Sequence, residues 1–297
     1  MIIQWHGQSC FQIVARREKN NQVSIVIDPF DETLGLRVPK LEGDIVLVSH
    51  GHHDHNNVKA VSATTSGSSP FLISGPGEYE VKKIYIQGIP SFHDDKGGKE
   101  RGENTIYTIE AEDLKLCHLG DLGQKELTEE QLEKIGEVDI LMIPVGGVFT
   151  ISAKEAAKVM SQIEPKIIIP MHYQIPERQR RVEKKETSST PKLNPQAGGK
   201  LDGLDKFLKV VGIKSIAPES KLSIKKKGNI VSGKVTKFNP FGAFVRITPE
   251  IQGLCHISEF GTKIKMAERL KIDKNYDFQI LEIQKEEHRM SLKLAKE

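Results

Sequence analysis

The chain has 297 residues, 37% of them hydrophobic and 28% charged, which is enough to bury a real core and long enough for two domains. No run of about 18 apolar residues occurs, which excludes a bilayer-spanning helix, and the start Met1–Gly7 lacks the basic end and apolar stretch of a secretory signal. The formal net charge of +3 conceals an asymmetry: residues 1–175 carry 17 Lys+Arg against 25 Asp+Glu, and residues 176–297 carry 26 against 15. A basic second half points to a polyanionic partner. Cys10, Cys117 and Cys255 stand far apart with no C-x-x-C pair. That usage argues for a reducing, cytoplasmic setting and against a disulfide framework or a cysteine zinc site.

In chain order, short β-branched runs bounded by Gly, Pro or Asp predict strands at residues 23–27, 44–48, 83–86 and 139–143. Helical patterning is expected around Thr128–Ile135, Ser152–Ile163 and Leu204–Val211, with Ser152 and Glu155 forming a capping box. Strands interspersed with later helices indicate an α/β sandwich. Residues 178–203 are polar and rich in Arg, Lys, Glu, Ser, Thr, Pro and Gly, and read as a mobile loop. One more strand is expected at Lys221–Ile224, so the first domain is placed at 1–226. Residues 227–297 show short, regularly spaced strands with Gly turns, as in a small all-β barrel.

The decisive segment is Ser49-His50-Gly51-His52-His53-Asp54-His55, placed directly after the apolar run that ends at Val48. A strand delivering a tight, histidine-rich loop converges imidazoles on one point. Neutral imidazole and carboxylate are the natural donors for zinc and similar divalent ions. Further candidate donors recur at strand ends: Asp28, His93, Asp121 and His172.

The H-x-H-x-D-H pattern of His50, His52, Asp54 and His55 resembles the signature of the metallo-β-lactamase superfamily. Asp28, His93, Asp121 and His172 follow in that family's order, and the resemblance spans about 1–226. It is nearest to small hydrolases related to ascorbate-phosphate lactonase, through Gly75-Pro76-Gly77-Glu78-Tyr79 and Val145-Gly146-Gly147. Gln8 departs from relatives that carry His at that place, but this position is not a ligand. The resemblance implies an αββα sandwich and two divalent ions, zinc first and manganese or iron as alternatives. It places His50, His52 and His93 on one ion, Asp54, His55 and His172 on the other, and Asp121 between them. Two such ions with two carboxylates and a bridging hydroxide keep a surplus of about one positive charge, which favours an anionic substrate. Asp54 is the expected catalytic proton shuttle. Asp28 is read as a carboxylate orienting the histidine loop or as a turn residue. His6, His53, His118, Tyr173 and Cys117 are read as supporting or packed residues.

The stretch Gly233–Val245, then Gly253–Glu259 and Arg289–Leu292, is similar to the RNA-binding OB-fold of ribosomal protein S-one. Independently, strand alternation places Ala243, Val245 and Ile247 in a barrel core and Phe244 and Arg246 outside. Phe241, Phe244, His256 and Arg289 then form a stacking platform beside positive charge, suited to single-stranded RNA. The combined expectation is hydrolysis by a metal-bound hydroxide, on a phosphoester in RNA or a nucleotide. Two rivals stand beside it: a small-molecule lactonase-like hydrolase tethered to RNA or ribosomes, and a non-enzymatic RNA-binding regulator. RNA-cleaving relatives carry a large domain after the bridging aspartate, whereas only about fifty residues separate Asp121 from His172. That spacing weighs against a nuclease.

Overall fold

The computed structural model describes residues 1–18, 21–175, 201–214, 220–248, 251–284 and 289–295. The loop expected at 178–203 lies almost wholly outside them. The chain divides into two compact units, Met1–Ser223 and Ile224–Glu297.

In the first unit, β-branched and aromatic runs pair into two six-stranded sheets. Strands β1 (Ile2–Gly7), β2 (Cys10–Glu18), β3 (Asn21–Ile27), β5 (Ile45–Leu47) and β7 (Phe71–Ile73) form the first sheet, and β14 (Lys221–Ser223) closes its edge against β1. A small parallel pair, β4 (Leu41–Gly43) with β6 (Val61–Ala63), lies beside it in the chain. The second sheet runs β13 (Ile167–Met171), β12 (Ile140–Pro144), β11 (Leu114–His118), β10 (Glu103–Ala111), β9 (Ile84–Phe92) and β8 (Gly77–Val81). Strands β11, β12 and β13 are parallel, as are β3, β5 and β7. Strand β12 is buried at every position, as expected of a parallel strand covered on both faces.

The sheets meet through Phe11, whose ring packs edge-on to His118 at 5.8 Å, and through the Tyr107 hydroxyl, which donates to Val48 O at 2.9 Å. Helices α1 (Glu129–Ile135), α2 (Ala153–Ile163) and α3 (Leu204–Val210) contribute Ile135, Val159 and Phe207 to the core that includes Leu141 and Ile143 of β12. The capping box at Ser152 and Glu155 forms, and a second one forms at Thr128 and Gln131. In the first sheet Cys10, Val26 and Val46 belong to a separate apolar cluster. Phe30, Leu34, Leu36 and Val38 pack there from an irregular segment with one 3-10 turn, in place of a long helix.

The second unit is a closed barrel of β15 (Ile230–Asn239), β16 (Gly242–Arg246), β17 (Gln252–His256), β18 (Asn275–Gln284) and β19 (Arg289–Leu294), with helix α4 (Lys263–Arg269) between β17 and β18 in sequence. Its core holds Val235, Ala243, Val245, Cys255, Phe278 and Leu292, with Ile247 packed against it. The expected alternation along β16 is therefore present. The fold is a five-stranded OB barrel.

Candidate metal centre

Parallel strands in open sheets present their carboxyl ends on one side, and loops leaving those ends collect there. The histidine loop leaves β5, Asp28 follows β3, His93 follows β9, Asp121 follows β11 and His172 follows β13. Asp28 and His172 hold left-handed backbone angles, φ of 47° and 50°. Such conformations cost free energy and persist where surrounding structure enforces them. For His172 the enforcing contact is its N–H donating to Gln8 O at 3.1 Å.

Asp121 is the centre of the arrangement. Its Oδ2 lies 3.1 Å from His172 Nε2, 3.2 Å from His55 Nε2 and 3.5 Å from His93 Nε2. Asp54 Oδ2 lies 3.5 Å from the same His55 nitrogen. On the other side, His50 Nε2 and His52 Nδ1 face each other at 3.0 Å, and the His50 and His93 rings meet at 4.7 Å between centroids. The donor atoms fall into two groups, each within 4.8 Å: His50, His52 and His93 in one, and Asp54, His55, Asp121 and His172 in the other. All seven donors named from the sequence are thus gathered in one place.

The electrostatics favour positive charge beside Asp121 and keep the His50 and His93 imidazoles neutral. Burial and the His55 charge push His50 down to about 3. Burial alone would raise the Asp121 carboxyl, yet His172 and His55 hold it well below the usual range. Burial opposes the His55 cation, but Asp121 and Asp28 more than offset it and raise its pKa well above the ordinary value. His55 Nδ1 is engaged by Asp28 at 3.0 Å, while the buried Nε2 makes no hydrogen bond. With Asp121 Oδ2 at 3.2 Å and Asp54 Oδ2 at 3.5 Å, that nitrogen stands where carboxylates draw a cation, a proton in the metal-free chain and in its stead a divalent ion. This donor set fits one.

Asp28 is fully buried and accepts from Ser49 N and Ser49 Oγ, both at 2.7 Å, as well as facing His55. It orients the loop. Several supporting residues carried no signal in the sequence. Asn104 Oδ1 accepts from Asp121 N at 2.9 Å, and its amide donates to Leu119 O and Ser91 Oγ. Ser9 Oγ donates to Asp121 Oδ1 at 3.3 Å. Gly120 holds φ of 56°, and a Cβ there would stand 2.3 Å from Asn104 Oδ1. His118 is buried, with Nε2 at Ser9 O and Nδ1 accepting from Gly120 N. Tyr173 packs against Trp5 with 5.2 Å between ring centroids. Cys117 is buried, which pushes its thiol up to about 12. His53 is exposed and outside both donor groups.

Residues 2–172 match the family described as the Beta-lactamase superfamily domain. The chain belongs to that superfamily. It is a metal-dependent hydrolase of the metallo-β-lactamase fold with a His/Asp metal-binding cluster. Members similar to it include a UPF0173 metal-dependent hydrolase of Thermococcus onnurineus, 28% identical over 193 residues, covering 58% of this chain and 84% of that one. A UPF0173 protein of Pyrococcus abyssi is 30% identical over 193 residues, covering 58% and 83%. A crystal structure from Thermotoga maritima, provisionally described as a Zn-dependent hydrolase of this superfamily, is 32% identical with a TM-score of 0.53, covering 76% of this chain and 92% of its own. Residues 224–295 match the S1 RNA binding domain, so the superfamily's metal-binding unit is here joined to an S1-type barrel. Among the described residues no helix is long and apolar enough to cross a membrane.

On the barrel, Phe241 is 64% exposed at the β15–β16 turn, where Asn239 Oδ1 accepts from Phe241 N and Gly242 N. Phe244 is half-buried on the outer face, in register with Lys237 and Leu254. Lys237 Nζ stands 4.7 Å from its ring centroid, a contact sequence reading missed because a β-bulge intervenes in β15. His256, paired with Gly242, is exposed, and its Nδ1 accepts from Ser258 N to cap a 3-10 turn. The side chain of Arg289 lies outside the described residues.

Proposed function

We propose that the protein is a dinuclear hydrolase acting on a phosphoester in RNA or a nucleotide, with the barrel holding single-stranded RNA. The carrying observation is the pair of donor groups that meet at Asp121. His50, His52 and His93 would hold one ion, and Asp54, His55 and His172 the other, with Asp121 shared. Histidine-rich donors with carboxylates suit zinc, with manganese or iron as alternatives. Two such ions supply Lewis-acid stabilisation and lower the pKa of water towards neutrality.

The chain's own residues do the rest. Asp28 fixes the His55 ring so that Nε2 faces the centre, Asn104 holds the backbone of Asp121, and Ser9 donates to its carboxylate. Asp54 is the donor-set carboxylate with measurable solvent access, its side chain 18% exposed. That makes its carboxylate the natural acceptor for the proton of an attacking water. The basic barrel, with Phe241 and Phe244 outward and Lys237 over one ring, supports stacking of unpaired bases beside phosphates.

The test is metal analysis together with turnover of bis(4-nitrophenyl) phosphate, labelled RNA and a panel of lactones. Phosphoester hydrolysis that is lost with metal content in Asp121→Ala is expected. Turnover of lactones alone by fully metallated protein would overturn the substrate class.

A further inference from the structure

The loop that follows His93 is built around one carboxylate. Asp94, 2% exposed, accepts from four backbone N–H groups: Lys96 and Gly98 on Oδ1 at 2.8 and 2.9 Å, and Glu100 and Arg101 on Oδ2 at 2.9 and 2.8 Å. The loop then returns to His93, whose N–H donates to Gly102 O at 3.0 Å. Arg101 is therefore fixed in backbone position beside a donor of the metal centre.

Its side chain crosses to a second loop. Arg101 Nη2 donates to Val148 O at 3.1 Å, and the guanidinium carbon lies 5.8 Å from the Phe149 ring centroid. That loop packs on another donor of the centre, because a Cβ on Gly146 would stand 2.0 Å from His172 O. The turn presenting the Val148 carbonyl is strained. Val148 holds φ of 60° and is bracketed by a Phe149 N–H to Gly147 O bond of 2.6 Å. A three-residue turn with positive φ is rare, and a β-branched residue at its centre is costly. Val148 is also 43% exposed, so burial does not offset that cost.

A guanidinium carries five donors and is always charged. Here one donor is used, the remaining ones meet no acceptor among the described residues, and the side chain is exposed. We propose that Arg101 is the anion-recognising residue at the mouth of the metal centre, aimed by the strained turn at Val148. Its ligand is a second anionic group of the substrate, set apart from the ester that reacts, as in a nucleoside bisphosphate or the next phosphate of a nucleic-acid strand. This rests on the reading of the centre as a phosphoester site and narrows it to substrates with two anionic groups.

The test compares two nucleotides differing by one phosphate, titrated into the zinc-loaded full chain: thymidine 5′-phosphate and thymidine 3′,5′-bisphosphate. The native protein is expected to bind the bisphosphate about tenfold more tightly, the worth of one charge-assisted contact. Arg101→Gln should bring the two affinities together, and Arg101→Lys should keep part of the difference. A merely structural role for Arg101 would weaken both nucleotides equally and leave their ratio unchanged. Equal affinities in the native protein, an unchanged ratio in Arg101→Gln, or no binding of either nucleotide overturns the proposal. Turnover of bis(4-nitrophenyl) phosphate, which has a single anionic group, reports on the phosphoester reading separately.

Discussion

Asp28→Asn changes one atom and conserves volume, yet it should cost the centre much of its metal affinity. In the native chain Asp28 Oδ1 accepts from Ser49 N, while Oδ2 faces both Ser49 Oγ and His55 Nδ1. The carboxylate therefore holds the proton of His55 on Nδ1 and leaves Nε2 free for a metal. In Asp28→Asn the amide NH2 replaces Oδ2 and faces His55. One of its hydrogens can turn to Ser49 Oγ, but the contact with His55 is favourable only with an unprotonated Nδ1, which moves the ring proton to Nε2 and blocks the donor atom. Flipping the amide instead would set NH2 against the Ser49 N–H. Recovering the useful tautomer then forfeits a buried hydrogen bond to a charged group, worth about 1.5–3 kcal/mol. That corresponds to roughly 10- to 150-fold weaker metal binding. Competition against a chromogenic chelator measures it directly, with circular dichroism to check that the fold is retained. A metal dissociation constant within about twofold of the native value would refute the tautomer argument.

Three further outcomes are expected. The metal-free protein should be most stable near neutral pH. His6, His50, His93 and His118 have folded pKa values below 6.5, so their contribution is complete above 6.5 and is lost as pH falls, for His50 down to about 3. His55 and His172 are raised, so theirs is complete below 6.5 and is lost as pH rises through their folded values. Urea midpoints at pH 5, 7 and 9 check this, and a midpoint higher at pH 5 than at pH 7 contradicts it. Gly120→Ala adds a methyl against Asn104 and Ser49 in a left-handed conformation, and should cost about 2–5 kcal/mol, or about 5–15 °C in Tm; a fall under about 2 °C would contradict it. Phe244→Ala should leave the barrel folded, because Val235, Ala243, Val245 and Phe278 form its core without it, and should weaken oligouridylate binding by about 1–3 kcal/mol. Loss of the folded barrel in that variant would place the ring in the core.

The convergence of the seven candidate donors was legible because each is a residue type with few other uses at the end of an apolar run, and because their order repeats a family's order. The helices were legible through their apolar patterning and, for the second, its Ser152 cap, whereas the cap at Thr128 emerged only in the fold. What surrounds the donors was not. Asn104 meets Asp121 from 17 positions away and Ser9 meets it from 112, distances at which neither periodicity nor spacing carries information. The Arg101 contact with Val148 spans 47 positions and depends on a backbone angle that no valine announces. The irregular cover over the first sheet was equally silent, since Leu34, Leu36 and Val38 alternate like a strand but pack, partly buried, from a 3-10 turn and the segment after it.

The carboxylate of Asp94 stands where many loops would use a bound ion or the ligand itself to gather their amides. Because four N–H groups are already collected by a side chain of the loop, the rim beside His93 does not wait for a substrate to take its shape. The conformational entropy of that segment is surrendered at folding, and little of it remains to be lost on binding. Association at this rim should then show a small entropic penalty and a fast on-rate, and the loop amides should resist hydrogen exchange as strongly without ligand as with it.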